Sequence, residues 1–163
     1  MGNPAQHKAR KRFGQHFLHD KNIIHKLLRT INLQPGDTVI EIGPGQGALT
    51  FPLLEQCKEL TAIELDRDLI PILQQGAENI GELKLINSDI LQIDMAALSL
   101  EPPFRLVGNL PYNISTPLMF HMLEYNKLIK DMHFMVQKEV AERIIATSDK
   151  NTSSSKHYGR LSV

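Results

Sequence analysis

The feature that most constrains the fold is a glycine-rich loop that joins a short apolar strand to a helix. Residues 38–42 have the strand pattern Thr-Val-Ile-Glu-Ile, and Gly43-Pro44-Gly45-Gln46-Gly47 follows at once. Residues 48–58 then read as a helix, in which Pro52 falls early enough for its missing N–H to do little harm. Glycines at a helix N-terminus let the backbone approach a ligand closely. The loop therefore predicts a nucleotide-type cofactor site, with Gly43 and Gly45 as cofactor-binding residues.

Strand and helix patterns alternate along the rest of the chain. A first helix is expected at residues 21–31, with Asp20 as its N-cap. The further expected elements are strands at 59–64, 83–87, 105–108 and 131–137, and helices at 66–75, 117–126 and 139–147. This alternation predicts an α/β, Rossmann-like fold with a mostly parallel sheet and helices on both faces. Ligands of such sheets bind at the carboxyl ends of the strands.

Residues suited to ligand binding fall at these carboxyl ends, and each follows a different strand: Gly43, Glu64, Asp89 and Asn109. Glu64 is placed to accept hydrogen bonds from two ribose hydroxyls, and both nicotinamide and S-adenosylmethionine proteins use an acid there. Asp89 can accept from the amino group of an adenine, although a Ser-Asp pair also suits a helix or turn cap. The glycine spacing is G-x-G-x-G rather than the dinucleotide pattern G-x-G-x-x-G. This set favours an adenosine-containing cofactor.

The run Asn109-Leu110-Pro111-Tyr112 suits a pocket for a planar aromatic amine. The lone pair of an adenine amine is delocalised into the ring, so the amine is a poor nucleophile. The side-chain oxygen of Asn109 and the backbone oxygen of Leu110 can accept its two hydrogens and favour a pyramidal nitrogen. Pro111 stiffens the turn, and Tyr112 offers a face for stacking. Alone the run could be a plain turn, but after a glycine loop it predicts methyl transfer from S-adenosylmethionine, driven mainly by positioning and electrostatics.

Composition narrows the class of protein. The 163 residues suit one domain with a single core. No apolar run is long enough to span a membrane, and the basic N-terminus lacks the apolar segment of a secretory signal. The single cysteine, Cys57, excludes an internal disulfide and a multi-cysteine metal site. We therefore expect a cytoplasmic protein with no metal and no membrane partner.

Charge is distributed unevenly although the net charge is zero. The balance is +6 over residues 1–30, −9 over residues 31–126 and +3 over residues 127–163. Basic ends around an acidic middle suit a polyanionic partner and a cationic cofactor. We expect residues 1–19 to form a basic arm and residues 20–163 the catalytic domain. Basic residues interleaved with aromatic ones suit RNA, so the predicted RNA-binding residues of the arm are Lys8, Arg10, Lys11 and Arg12.

Together the motifs resemble the small-subunit rRNA adenine N6,N6-dimethyltransferases. The resemblance covers nearly the whole chain from Arg10 and rests on residues 11–18, 41–45, 63–66, 108–117 and 135–140. It implies dimethylation of two adjacent adenosines in a hairpin near the 3′ end of 16S rRNA, within the 30S particle, during ribosome biogenesis. It also implies that His16 and Leu18 line the cofactor pocket, and that Phe134 stacks on the target base opposite Tyr112. A plain core position for Phe134 is an equal alternative.

The chain departs from this family at its end. Family members continue past Val163 into two more strands and a small helical domain, so we expect a chain truncated at its C-terminal end. Two other functions stay open: a ribosome-assembly RNA-binding factor with secondary or lost activity, and a large-subunit rRNA adenine methyltransferase. The run at residues 109–117 and the sequence Gln137-Lys138-Glu139-Val140 favour the small-subunit type. A dehydrogenase is opposed by the glycine spacing.

Overall fold

The computed structural model describes residues 20–149, and within this range five parallel strands form one sheet. The strands are β1 (Thr38–Ile42), β2 (Glu59–Glu64), β3 (Glu82–Asn87), β4 (Phe104–Asn109) and β5 (Ile129–Met135). The helices are α1 (Lys21–Ile31), α2 (Thr50–Cys57), α3 (Ile70–Ala77), α4 (Tyr112–Leu123) and α5 (Lys138–Asp149). Short 3-10 turns at Arg67–Leu69, Ile90–Gln92 and Met95–Ala97 follow β2 and β3.

The strand order is β3-β2-β1-β4-β5, which confirms the expected parallel α/β fold. The chain works outward in one direction from β1 to β3 and then returns to place β4 on the other side of β1. Ile42, the last residue of β1, pairs with Gly108, the last but one of β4, so the carboxyl ends of the two strands lie side by side. A parallel sheet of this kind has its ligand crevice where the strand order reverses, at the carboxyl ends of these two strands.

The core has two layers because the central strands are buried on both faces. On one face, Ile40 and Ile42 pack with Leu106, Leu118 and Phe134. On the opposite face, Val39 of β1 and Val107 of β4 pack against α1 and α2. The helix residues in this cluster are Ile24, Leu28, Ile31, Leu53 and Leu54. The expected amphipathic α1 is confirmed, and its N-cap is Asp20, whose Oδ1 accepts a hydrogen bond from the Asn22 amide at 2.8 Å.

A buried arginine joins the amino end of the sheet to α1. Arg105 donates to both carboxylate oxygens of Asp131 on β5 (2.8 and 2.9 Å) and to Oδ2 of Asp37 ahead of β1 (2.7 Å). It also donates to the carbonyl oxygen of Ile31 at the end of α1. Lys130 donates to the other oxygen of Asp37 at 2.8 Å, and His133 lies 3.4 Å from Asp131. We call these five charged or titratable residues the Arg105 network.

The Arg105 network stabilises its carboxylates as anions. Burial acts to raise the pKa of Asp37, but hydrogen bonds from Lys130, the Gln34 amide and Arg105 outweigh it and lower the pKa to about 2. Burial likewise opposes ionisation of Asp131, whereas His133 and Arg105 lower its pKa to about 2. Two carboxylates that remain charged thus hold β4, β5 and the segment before β1 together.

Several element boundaries differ from the sequence predictions, most of all in α4. The helix expected at 117–126 is present, but its predicted bounds are wrong, because α4 begins at Tyr112, ends at Leu123 and contains Pro117. Pro111 is its N-cap, with φ −64° and ψ 151°, so the helix starts directly after a residue whose φ is already fixed. Pro117 removes one interior hydrogen bond, while Ser115 Oγ donates to the Pro111 carbonyl at 2.9 Å. The strand expected at 131–137 begins and ends two residues earlier, as β5.

The helices are short. The longest within residues 20–149 are α4 and α5, with 12 residues each. Spanning a bilayer takes about 20 apolar residues. No helix in this range combines the length and the apolar character that crossing a membrane requires.

Candidate active site

The glycine loop after β1 has a backbone conformation that residues with side chains rarely adopt. Gly43, Gly45 and Gly47 have φ values of +67°, +59° and +90°, in the left-handed region that favours glycine. A Cβ at Gly43 would meet no atom within 4 Å, so this position is open on the side where a ligand would lie. A Cβ at Gly47 would clash with the Phe51 ring. Gly43 therefore leaves space for a ligand, whereas Gly47 lets α2 pack against the loop.

Glu64, the last residue of β2, binds the glycine loop directly. Its Oε2 accepts a hydrogen bond from the Gly45 amide at 3.0 Å, and its Oε1 accepts from the Asp66 amide at 2.8 Å. The residue is 3% exposed, and burial raises the pKa of its carboxyl, against the two backbone hydrogen bonds. Each carboxylate oxygen can accept a second hydrogen bond. The predicted ribose contact would therefore add to these two hydrogen bonds.

Asp89 follows β3 and caps the 3-10 turn Ile90–Gln92. Its Oδ1 accepts a hydrogen bond from the Leu91 amide at 2.9 Å, so one of its two oxygens has the capping role that the sequence also suggested. The side chain is half-buried, and Oδ2 accepts no further hydrogen bond from residues 20–149. The cap fixes the carboxylate in place, which is compatible with a second role in ligand binding. That second role stays a prediction.

Asn87 is a positioning residue that the sequence interpretation missed. Its Nδ2 donates to the carbonyl oxygens of Glu64 at 2.8 Å and of Leu65 at 3.2 Å. Asn87 is the register partner of Glu64, so this amide joins the ends of β2 and β3. Leu65, the residue after Glu64, is 57% exposed and provides an apolar surface next to that acid. A polar residue at the last position of a predicted strand was the available signal.

The run from Gly108 to Tyr112 leaves β4 beside the glycine loop. A Cβ at Gly108 would lie 2.6 Å from the Ile42 carbonyl oxygen, so glycine permits β4 to lie close to the end of β1. Asn109 ends β4 half-buried, opposite Met135 of β5. The Leu110 amide donates to the Met135 carbonyl at 2.9 Å, which fixes the backbone just after Asn109. The predicted acceptor residues are therefore held at the reversal point of the sheet.

The two aromatic residues predicted to stack on a base have different environments. Tyr112, at the start of α4, is 58% exposed and available to a ligand. Phe134 is 3% exposed and packs in the core with Leu106 and Leu118. The core alternative thus describes the position of Phe134 here, and stacking would require its ring to become exposed. The stacking roles of both residues stay predictions.

A second acid, Glu41, lies under the glycine loop and was also missed. It is 2% exposed on β1, and burial raises the pKa of its carboxyl to about 8. The Thr50 hydroxyl is near enough to lower this pKa in part, but neither Glu41 Oε2 nor Thr50 Oγ1 has a hydrogen-bond partner within the described range. A charged residue inside an otherwise apolar, central strand was the signal for it.

Some predicted site residues lie outside the described residues. These are His16 and Leu18 of the predicted cofactor pocket and the predicted RNA-binding residues Lys8, Arg10, Lys11 and Arg12. Within residues 20–149, no group of three or more His, Cys, Asp or Glu side chains could hold a metal ion. The described site therefore consists of a glycine cradle, fixed carboxylates and an amide beside an exposed tyrosine.

Comparison with known proteins identifies the family of this chain. Residues 6–163 match the family model described as ribosomal RNA adenine dimethylase. The chain belongs to this family. Ribosomal RNA small subunit methyltransferase A of Acinetobacter baylyi is 54% identical over 99% of this chain, and its counterpart from Nitrosococcus oceani is also 54% identical over 99%. The match covers 58% and 60% of those two relatives, so the chain spans little more than half their length.

Solved structures of family members and related enzymes have the same fold. A dimethyladenosine transferase from Plasmodium falciparum is 32% identical with a TM-score of 0.70, over 85% of this chain and 50% of that one. The 23S rRNA methyltransferase ErmE is 28% identical with a TM-score of 0.71, over 81% of this chain and 52% of that one. The described residues thus have the Rossmann-like fold of the class I methyltransferases.

Proposed function

We propose that this chain is the catalytic part of an enzyme that dimethylates the exocyclic amines of two adjacent adenosines near the 3′ end of small-subunit rRNA. The observation that carries the proposal is the position of Asn109-Leu110-Pro111-Tyr112. This run leaves β4 at the register position where Ile42 and Gly108 pair, directly beside the glycine loop. A pocket for a planar amine thus adjoins a cradle for a cofactor.

The residues at this edge fit S-adenosylmethionine. Gly43 offers backbone with open space above it, which suits the amino-acid end of the cofactor. Glu64 ends β2 and Asp89 follows the adjacent β3, so both are acceptors suited to the ribose hydroxyls and the adenine amine, and Leu65 offers an exposed apolar surface next to Glu64. When bound, S-adenosylmethionine supplies an electrophilic methyl group on a sulfonium. The match of residues 6–163 to the ribosomal RNA adenine dimethylase family supports this choice.

On the substrate side, the chain's own atoms prepare the amine. The Asn109 side-chain oxygen and the Leu110 carbonyl accept its two hydrogens and favour the pyramidal geometry in which the lone pair is available. Leu110 is fixed through its amide to Met135, and Pro111 has a restricted φ, so the two acceptors are held before the substrate arrives. Tyr112 covers one face of the base. Alignment of the nucleophile with the methyl group then carries most of the rate increase.

The small-subunit rRNA is the proposed substrate because the most similar relatives named above carry that substrate in their names. We extend this to the 30S particle during ribosome biogenesis, in the cytoplasm, with residues 1–19 as an RNA-binding arm. ErmE, named for the 23S rRNA, is 28% identical, whereas the small-subunit relatives are 54% identical. The greater identity favours the small-subunit substrate over the large-subunit one.

The test is transfer of labelled methyl from S-adenosylmethionine to small ribosomal subunits that lack the modification, followed by nucleoside analysis. Dimethyladenosine is the expected product. Asn109→Ala should lower the rate by about 10²–10³, as removal of a preorganised polar contact to the reacting group does. Asn126→Ala, at an exposed asparagine after α4, is the matched control and should keep full activity. A wild-type rate equal to that of Asn109→Ala would refute the assignment.

A further inference from the structure

Glu41 and Thr50 form a buried polar pair that the proposed chemistry does not use. Glu41 is 2% exposed on β1 and Thr50 is 0% exposed at the start of α2. Among residues 20–149, no group makes a hydrogen bond to Glu41 Oε2 or to Thr50 Oγ1. Buried polar atoms are nearly always hydrogen-bonded, and exceptions cluster where a group has a functional task. The pair flanks the glycine loop in the chain, since Glu41 is two residues before Gly43 and Thr50 begins the helix that follows the loop.

The surroundings of Glu41 disfavour a negative charge. Burial raises the pKa of this carboxyl to about 8, the Thr50 hydroxyl lowers it in part, and the Glu64 carboxylate raises it further. Cys57 on α2 also interacts with Glu41, and burial raises the pKa of its thiol, so it stays neutral near pH 7. Within the described range, no Lys, Arg or His forms an ion pair with Glu41. A protonated Glu41 can instead donate a hydrogen bond to Thr50 after a small side-chain adjustment.

Glu41 also lies where it would respond to a positive charge over the loop. Glu41 pairs in register with Ala62, and Glu64 is two residues further along β2, so both acids point to the same face of the sheet. Glu64 already holds the Gly45 amide. A cation bound on the loop would therefore add an attractive partner to a carboxyl whose pKa is raised by the Glu64 carboxylate.

We propose that Glu41 is a positioning residue that holds a proton in the absence of cofactor and releases it to solvent when a positively charged cofactor binds over the glycine loop. The inference rests on the proposed function, which places a sulfonium compound there. The O–H bond of the carboxyl breaks, the proton passes to the buffer, and the electron pair stays on the carboxylate. After methyl transfer the product is an uncharged thioether, and Glu41 takes a proton back. The site thereby favours the charged methyl donor over its product.

The test is calorimetric titration of the protein with S-adenosylmethionine in buffers of different ionisation enthalpy, between pH 7 and pH 8.5. The number of protons released is compared between wild type, Glu41→Gln and the exposed control Glu55→Gln. The comparison is needed because the amino group of the cofactor itself titrates near pH 8. Wild type and Glu55→Gln should release roughly half a proton more than Glu41→Gln. Their affinity for S-adenosylmethionine, relative to that of Glu41→Gln, should rise about three- to tenfold from pH 7 to pH 8.5.

The outcomes separate this inference from the proposed function. Equal proton release by wild type and Glu41→Gln would overturn the inference, whereas failure of every protein to bind S-adenosylmethionine would overturn the proposed function. S-adenosylhomocysteine should release fewer protons than the sulfonium compound, and equal release by the two would also overturn the inference. If Glu41→Gln does not fold, Thr50→Val should move the proton release to higher pH, because a group that lowers the pKa is lost. An unchanged profile would count against the inference.

Discussion

The Arg105 network and the Glu41–Thr50 pair show opposite treatments of a buried carboxyl. Asp37 and Asp131 accept hydrogen bonds from Arg105, Lys130 or both, and their pKa values are lowered to about 2. Glu41 has no basic partner in the described chain, and burial raises its pKa to about 8. Burial acts in the same direction on all three acids. The neighbours therefore decide the protonation state.

The two regions also lie at opposite ends of the strands. Asp37 precedes β1 and Arg105 is the second residue of β4, so the paired charges lie at the amino end of the sheet. Glu41 is near the carboxyl end, beside the glycine loop. Paired charges thus stabilise the amino end of the sheet, whereas Glu41 lies near the end proposed to bind a ligand.

The largest expected effect is the loss of the central cation of the Arg105 network. Arg105→Met leaves Asp131 and Asp37 buried with incomplete partners, which should lower the free energy of unfolding by about 3–5 kcal/mol. Urea denaturation measures the change. Arg67→Met is the control, because the Arg67 side chain is 88% exposed, and its unfolding should change by no more than about 0.5 kcal/mol. A loss below about 1 kcal/mol for Arg105→Met would contradict the importance assigned to the network.

The next effect concerns the stability cost of the unpaired acid. A folded-state pKa of about 8, above the ordinary 4.5, means that the contribution of Glu41 to stability is fully present below pH 4.5 and is lost as the pH rises through 8. Glu41→Gln cannot ionise, so relative to wild type it should gain about 3 kcal/mol between pH 5 and pH 8. Urea denaturation at the two pH values measures this gain. If the free energies of unfolding of Glu41→Gln and wild type differed by the same amount at both pH values, the pKa of Glu41 would not be raised.

The paired acids should show the opposite pH dependence. The lowered pKa of Asp131 contributes stability that is present above its ordinary value of 3.8 and is lost as the pH falls through about 2. Asp131→Asn cannot be protonated in this way, so its stability should fall by about 2 kcal/mol less than that of wild type on acidification. Thermal melts between pH 5 and pH 2 measure it, with Asp68→Asn at an exposed aspartate as the control. If both variants followed the wild-type curve, the pairing would not set the acid stability.

The smallest expected effect on stability is that of adding one methyl group, by a glycine-to-alanine substitution, before or after β1. Gly36 before the strand has φ +85° and Gly43 after it has φ +67°, and a Cβ at either would meet nothing within 4 Å. Alanine at either position should therefore destabilise the fold by about 1 kcal/mol through backbone strain. Only Gly43→Ala should also weaken S-adenosylmethionine binding, by tenfold or more. Equal binding by the two variants would place the ligand elsewhere.

The sequence predicted the parts of this molecule that depend on local patterns. Strand β1, the glycine loop and the cap at Asp20 follow from neighbouring residues, and the structure confirms them. The start of α4 was missed because Pro117 looked like a helix N-terminus, whereas Pro111 six residues earlier already had the required φ. Two prolines in one segment leave the helix start ambiguous from sequence alone.

The parts that could not be predicted depend on residues distant in sequence. Arg105 lies 68 residues from Asp37 and 26 from Asp131, and no periodicity relates them. The same holds for Asn87, which bonds a carbonyl 23 residues away. Glu41 and Glu64 are both acids in apolar strands, and the sequence singled out Glu64 because it ends its strand. Their different hydrogen bonding follows from where the loop amides point, which requires the folded backbone.

The bond from Asn87 to the backbone after β2 has a consequence for ligand selection. The amide of Asn87 helps to set the separation between the segments that carry Glu64 and Asp89. Under the proposed function, that separation is the distance between the two acceptors that a bound nucleoside has to reach. A shorter or bulkier residue at position 87 would then change which nucleosides fit, although both acids would remain in place.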